Sequence, residues 1–149
     1  MDDTYTLTTT REIDAPVERV WAAWNDPEKI ARWWGPAGFH STVERLDVRE
    51  GGRFEVTMHG PDGTDYPNVY VFDRVEERRR LVYTNQGSKE FGLAPFQSVV
   101  DLEDLGGRTR VVLLARFSSA EDKRRHVEDF HAIEGSRQLL ERLEEQARG

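Results

Sequence analysis

The chain has 149 residues, a formal net charge of −7 and no cysteine. The acidic balance, without a basic stripe interleaved with aromatic residues, argues against a nucleic-acid partner. The lack of cysteine excludes disulfides and thiolate chemistry. No run approaches the ~18 apolar residues of a membrane span, and the N-terminus has no leader pattern. We expect a single cytoplasmic domain over residues 1–149.

The first third of the chain predicts one strand and two short helices. Residues Thr4–Ile13 alternate and are rich in threonine, which favours a strand. Pro16 suits the first position of a helix, where its missing N–H costs nothing. Asp26 is a cap for a second helix. That helix should end at Gly35, before a proline.

The middle of the chain changes to short extended segments separated by turns. Gly60–Gly63 and Leu105–Gly107 have the composition of hairpin turns, since Gly and Asp tolerate positive φ. Short links predict that neighbouring strands pair antiparallel. The predicted strands are His40–Asp47, Arg53–His59, Tyr66–Val75, Leu81–Asn85, Phe96–Glu103 and Thr109–Phe117.

The last segment predicts one long helix of about 28 residues, or about 42 Å. Ser118 and Glu121 match a capping box at its start. Gly135 inside it indicates a bend or a close approach to another backbone. The expected apolar stripe is Val127, Phe130, Ile133, Leu140, Leu143 and Ala147.

These elements indicate an α+β fold of the helix-grip kind. About seven strands would form one curved antiparallel sheet, and one long helix is available to cover its concave face. A cavity between sheet and helix is natural in such a fold, and ligand cavities measure about 300–1,000 Å³.

Several motifs, taken in this order along nearly the whole chain, form a specific combination. They are Asp14-Ala15-Pro16-x-x-x-Val20-Trp21, Asp26-Pro27, Arg32-Trp33-Trp34-Gly35-Pro36, Glu50-Gly51-Gly52-Arg53-Phe54 and Gly106-Gly107-Arg108-Thr109-Arg110-Val111. The chain thereby resembles the family of the C-terminal domain of the activator of the heat shock protein 90 ATPase, in the START-like (SRPBCC), Bet v 1-like superfamily. It departs from that family at Ser136, where members often carry Trp, and at Asn68, where many have Gly. The first departure is expected to open the groove beside the helix.

The resemblance implies that a small hydrophobic or amphipathic molecule is bound in the cavity. Some relatives in the superfamily are cyclases or hydrolases, so an enzyme that uses the same cavity is an alternative. A co-chaperone-like interaction domain is a third alternative, although the docking domain of the chaperone activators has no counterpart here. Exposed sheet edges also allow a homodimer.

The candidate site consists of aromatic and apolar residues that can face inward. Trp33 and Trp34 can form a lid over the cavity or pack in the core. His131 and Glu134 lie three apart and can act as an acid–base pair, or as a solvated pair on the surface. His126 and His131 do not have the spacing of helical metal ligands, so no metal and no cofactor are predicted. The full cavity prediction is Trp33, Trp34, Phe54, Met58, Tyr66, Tyr70, Phe72, Tyr83, Phe91, Phe96, Phe130, His131 and Glu134.

Overall fold

A computed structural model describes residues 5–90, 92–129 and 131–149. The elements follow the predicted order as far as β7, with bounds that differ by a few residues. They are β1 (Thr6–Ile13), α1 (Val17–Asn25), α2 (Pro27–Trp33), β2 (His40–Leu46), β3 (Arg53–His59), β4 (Asp65–Glu76), β5 (Arg80–Asn85), β6 (Phe96–Asp104), β7 (Thr109–Arg116), α3 (Ala120–Glu128) and α4 (Ala132–Arg148).

The described strands form one curved seven-stranded sheet in the order β1-β7-β6-β5-β4-β3-β2. Every neighbouring pair is antiparallel, as the short links predict. The first two strands of the chain therefore form the two edges, and α1 with α2 connects them across the concave side. The α+β helix-grip prediction is confirmed.

Local signals explain how α1 and α2 begin. Pro16 was predicted at the first helical position. It is instead the cap residue before α1 and has an extended backbone. The Asp26 side chain accepts a hydrogen bond from the Glu28 amide at 2.9 Å, and Pro27 follows at the first helical position. Such a cap satisfies one of the amides that a helix start leaves unpaired.

Gly52 is needed for the turn into β3. A Cβ at this position would lie 2.0 Å from the Asp47 carbonyl oxygen, which no side chain permits. The Gly51 amide donates to the Phe72 carbonyl at 2.8 Å, and the Gly52 amide donates to the Arg49 carbonyl. The Gly-Gly pair therefore forms a tight turn into the strand.

The prediction of one continuous C-terminal helix is wrong, because two helices occupy that segment. His131 adopts a left-handed conformation with φ of 53°, which a right-handed helix cannot contain. The cap of α3 is Ser119 rather than Ser118, and its hydroxyl accepts from the Asp122 amide. The shift arises because extended pairing continues past β7, where the Phe117 amide donates to the Tyr5 carbonyl.

The two helices pack on different parts of the molecule. In α3, His126 is buried, with its ring centroid 4.8 Å from that of Phe96 and 4.6 Å from that of Phe117. In α4, the second half buries its apolar side against α1, α2 and β1. Three residues of the predicted apolar stripe are buried: Leu140, Leu143 and Ala147. Val127 is half-buried, and Ile133 is 55% exposed, so the prediction is wrong for Ile133. Phe130 lies outside the described residues.

Candidate functional site

A cavity of about 570 Å³ lies where α4 begins. Three parts of the fold surround it: the loop after α2, one end of the β3–β4 hairpin, and the first turns of α4 with the linker before it. Its volume falls in the range of small-molecule sites. The lining residues are Trp34, Gly35, Pro36, Ala37, Phe39, Met58, Tyr66, Tyr70, Asp129, His131, Ala132, Glu134, Gly135, Ser136, Gln138 and Leu139.

The wall on the sheet side is aromatic. The ring centroids of Trp34 and Tyr70 are 5.5 Å apart in an edge-to-face arrangement. Those of Phe39 and Tyr66 are 5.9 Å apart. Together with the Met58 thioether, these rings form an apolar surface with two phenolic hydroxyl groups.

The Tyr70 hydroxyl is a buried proton donor in this wall. Burial raises the pKa of Tyr70 to about 12, although hydrogen bonds with the side chains of Asn85 and Trp34 act in the opposite direction. The Asn85 amide nitrogen donates to the Asn68 carbonyl oxygen at 3.0 Å. The family departure at Asn68 therefore contributes to a polar network behind the cavity. At neutral pH the phenol is protonated and cannot act as a base.

The loop after α2 is tied to α4 by two side chains. Arg142 donates through Nη1 to the carbonyls of Gly35 at 2.8 Å and Pro36 at 2.9 Å. Through Nη2 it donates to the carbonyl of Arg32 at 2.6 Å. A guanidinium group at the end of α2 satisfies carbonyls that the helix leaves unpaired and matches its dipole. Gln138 adds a second tie, because its Oε1 accepts from the Ala37 amide at 3.0 Å.

Gly35 lets the loop turn close to the cavity wall. Its φ is 102°, and a Cβ there would lie 3.3 Å from both the Met58 sulfur and the Phe39 Cβ. A side chain would be strained in this conformation and crowded by its neighbours. The glycine of the Trp-Trp-Gly-Pro motif is thus explained by a geometric requirement beside the cavity.

Small residues on the first turns of α4 leave the space. Ala132, Gly135 and Ser136 all line the cavity, whereas the larger Leu140 and Leu143 follow one and two turns later. Ser136 is the position where members of the family that the sequence resembles often carry Trp. The predicted close approach of Gly135 to another backbone is not seen among the described residues, because a Cβ there would meet the Pro36 side chain at an ordinary 3.9 Å.

The two candidate catalytic residues both reach the rim of the cavity. The Glu134 carboxylate accepts hydrogen bonds from Arg137 and from Gln138, the latter at 3.2 Å. The hydrogen bond from Arg137 holds the pKa of Glu134 below its ordinary value. Glu134 is therefore ionised at neutral pH and is engaged by these two side chains. His131 is exposed in the linker.

The remaining predicted site residues have different positions. Trp33 is buried and donates through Nε1 to the Ala23 carbonyl at 2.9 Å, as a core side chain does. Phe96 packs on Phe117 and His126. Phe91 and Phe130 lie outside the described residues. Three more predicted residues are buried in the core and do not line the cavity: Phe54, Phe72 and Tyr83.

Sequence reasoning missed several residues that build the cavity. Phe39 follows the Gly-Pro turn, and an aromatic residue directly after that turn is a signal for a wall residue. Gln138 lies four residues after Glu134 and Leu139 lies four residues after Gly135, so helical spacing indicates them once the position of the cavity is known. Arg142 has no local signal, because its partners lie more than 100 positions earlier in the chain.

No helix in the part of the chain that the structure describes is long and apolar enough to cross a membrane. A family model described as "Activator of Hsp90 ATPase homolog 1-like protein" matches residues 14–147. No curated protein matches the chain.

Solved structures of similar proteins cover almost the whole chain. A protein from Arthrobacter aurescens is 31% identical, with a TM-score of 0.89 over 99% of this chain and 89% of that one. Protein NE0264 from Nitrosomonas europaea is 27% identical, with a TM-score of 0.87 over 99% and 97%. Protein Ms6760 from Mycobacterium smegmatis is 31% identical, with a TM-score of 0.83 over 95% and 90%.

Proposed function

This chain belongs to the family of Activator of Hsp90 ATPase homolog 1-like proteins, and we propose that it binds a small hydrophobic or amphipathic molecule in the cavity at the start of α4. The observation that carries the proposal is the composition of that cavity. Aromatic rings and a thioether form one side, and small residues of α4 leave room on the other. An apolar guest would remove this surface from water, which is the main favourable term in such binding.

Polar groups at the rim support an amphipathic guest. Ser136 and Gln138 offer hydrogen-bonding groups in the lining, while the buried Trp34 and Tyr70 offer aromatic surface. A few polar groups around a mostly apolar interior is the usual composition of a pocket that orients its ligand. The apolar part of the guest would lie against the sheet and its polar part near the α3–α4 linker.

The protonation states of the site favour binding without chemistry. Glu134 is held ionised by Arg137, and Tyr70 is held protonated by burial. A general acid near neutral pH would need a raised carboxyl pKa, and a phenolic base would need a lowered one. The enzyme alternative is tested by His131→Ala, which should leave any turnover unchanged if the imidazole has no catalytic role.

Native mass spectrometry of protein purified from its own cells tests for a bound guest. We expect an additional mass of lipid-like or aromatic character that is released on unfolding. The sharper test compares Ser136→Trp, which places an indole in the cavity, with Ile133→Trp, which adds the same group at an exposed position of the same helix. The first variant should lose the guest, and the second should retain it.

An environment-sensitive apolar dye gives an independent measurement with both variants. Dye fluorescence should rise with the native protein and with Ile133→Trp, and should fall several-fold with Ser136→Trp. Thermal melting of each variant checks that the fold is intact. Equal dye binding by the two variants would contradict the cavity as the binding site.

A further inference from the structure

A second cluster of functional side chains lies on the convex face of the sheet, away from the cavity. His40, His59 and Asp65 stand in register across β2, β3 and β4, since His40 pairs with His59 and His59 pairs with Asp65. The two imidazole centroids are 4.7 Å apart, and the planes differ by 31°. None of the three residues lines the cavity. This arrangement does not depend on the proposed function.

The hydrogen bonds of His59 determine which of its nitrogens can bind a ligand. Its Nδ1 lies 2.7 Å from an oxygen of Asp65, and its Nε2 lies 2.7 Å from the Thr42 hydroxyl. A carboxylate only accepts hydrogen bonds, so the Nδ1 of a neutral imidazole carries the proton. The Nε2 lone pair is then directed towards β2.

The position of Thr42 shows where that lone pair points. Thr42 follows His40 by two residues on the same strand, so both side chains lie on the same face of the sheet. Both residues are exposed, and the His59 side chain is 25% exposed. Nε2 of His59 therefore faces the region that the His40 ring also occupies, and an ion bound there would take the place of the hydrogen bond from the Thr42 hydroxyl.

We propose that His40 and His59 bind one divalent transition-metal ion, with Asp65 orienting His59 from behind. A histidine that binds a metal through Nε2 commonly donates its Nδ1–H to a carboxylate, which fixes the orientation of the ring. The described residues contain no group of three or more histidine, cysteine or carboxylate side chains spaced to hold an ion. The site thus has two protein ligands, and water, with or without the Thr42 hydroxyl, completes the coordination.

The ligand type determines which ions fit. Imidazole nitrogens favour Cu²⁺, Ni²⁺ and Zn²⁺, whereas Mg²⁺ and Ca²⁺ prefer oxygen ligands. We expect Cu²⁺ to bind more tightly than Ni²⁺ or Zn²⁺, in the usual order for nitrogen sites. Because β2 is an edge strand, the ion would link that edge to β3 and stabilise it.

The sequence gives no sign of this pair, because helical or short-loop spacing is the usual signal for metal ligands. His40 and His59 come together only through the register of the β2–β3 hairpin. The prediction of no metal rested on the spacing of His126 and His131 and did not consider a cross-strand pair.

Isothermal titration of tag-free protein with CuCl₂, ZnCl₂ and MgCl₂ in a weakly coordinating buffer tests the proposal. We expect one Cu²⁺ or Zn²⁺ per chain and no binding of Mg²⁺. His40→Gln and His59→Gln should each weaken Zn²⁺ binding about tenfold or more. Asp65→Asn should weaken it less, by up to about tenfold, since it removes only the orienting group. The matched control Glu44→Gln, a carboxylate bonded to Thr57 on the same face, should change it less than twofold.

Two outcomes would overturn the proposal: Zn²⁺ affinity that survives both histidine substitutions, or a loss with Glu44→Gln as large as with His59→Gln. NMR of the imidazole resonances provides a second measurement that does not depend on affinity. On addition of Zn²⁺, the signals of His40 and His59 should shift while those of His126 and His131 stay in place. Melting temperatures without metal show whether each variant is folded.

Discussion

The two halves of α4 differ in how they meet the rest of the protein. In the second half, Leu140, Leu143 and Ala147 are fully buried against neighbouring elements. In the first half, the small Ala132, Gly135 and Ser136 line a cavity that the side chains of Gln138 and Leu139 do not fill. The same helix therefore closes the fold at one end and leaves space at the other. The small side chains at positions 132, 135 and 136 therefore mark the part of α4 beside the cavity, and Leu140 and Leu143 mark the part that packs in the core.

The wall opposite the helix shows the same contrast. Near the closed end, Trp24, Trp33 and Trp34 pack edge to face with ring centroids 4.7 to 5.6 Å apart. Beyond Trp34 the rings of Tyr66 and Phe39 are only partly buried and face the cavity. Trp34 belongs to both regions, because it is buried in the core and also forms part of the cavity wall.

Truncation of a buried side chain in the second half of α4 should have the largest effect on stability. Leu143→Ala removes a fully buried side chain, and we expect the free energy of unfolding to fall by about 2–5 kcal/mol. Leu139→Ala, on the side that lines the cavity, should cost less, because part of that side chain has no packing partner to lose. Urea denaturation of both variants measures the difference. Equal losses would show that the first half is packed as densely as the second.

Arg142 connects the two regions, and its loss should have the next largest effect. Arg142→Gln leaves the carbonyls of Arg32 and Gly35 without this donor, whereas the Pro36 carbonyl keeps the Phe39 amide, so we expect the free energy of unfolding to fall by about 1–3 kcal/mol. Since Gly35 and Pro36 line the cavity, dye binding should weaken as well.

Arg148→Gln is the control for Arg142, since Arg148 lies exposed near the end of the same helix. It should change stability by less than about 0.5 kcal/mol. Intact dye binding in a destabilised Arg142→Gln variant would separate the role of Arg142 in folding from a role in shaping the cavity.

The pH dependence of stability should reveal the contribution of Glu144, which lies in the second half of α4. Burial alone would raise its pKa, but hydrogen bonds from the Asp14 amide at 2.8 Å and from Arg11 outweigh burial and hold the pKa below its ordinary value. The stability that this carboxylate contributes is therefore present above the pKa of the unfolded state. It is lost as the pH falls through the lower pKa of the folded state.

The free energy of unfolding of Glu144→Gln should be about 1 kcal/mol lower than that of the native protein at pH 7. The two proteins should be almost equally stable at a pH below the folded-state pKa of Glu144. Chemical denaturation at several pH values measures both. Glu145→Gln, at the next and exposed position, is the control and should leave the pH profile unchanged. If the native and Glu144→Gln proteins lose stability in parallel as the pH falls, another carboxylate is responsible for the acid sensitivity.

The sequence predicted the sheet well because its signals are local. Turn residues such as Gly63 and Gly106 adopt the positive φ expected of them. Alternation identified β3 with its exact bounds, Arg53–His59. The motifs that identified the family include Gly35 and Gly52, both of which the structure explains by close neighbours.

The cavity was predicted less well because its shape depends on distant contacts. Phe54, Phe72 and Tyr83 alternate like wall residues, but the neighbouring rings leave them in the core. Periodicity shows which residues face inward, and it cannot show whether a partner fills the space in front of them. Only the small residue at 136, where relatives often have a large one, gave a local indication of the open region.

The break before α4 leads to the smallest expected effect. A continuous helical pattern places Ile133 on the buried stripe, but the left-handed His131 resets the helix and leaves Ile133 exposed. Ile133→Gln should therefore change stability by less than about 0.5 kcal/mol. Leu140→Gln is the matched comparison at a buried stripe position and should cost several-fold more, since it buries an amide and loses apolar contact. Comparable losses in the two variants would mean that the stripe continues through position 133 and that α3 and α4 form one helix in solution.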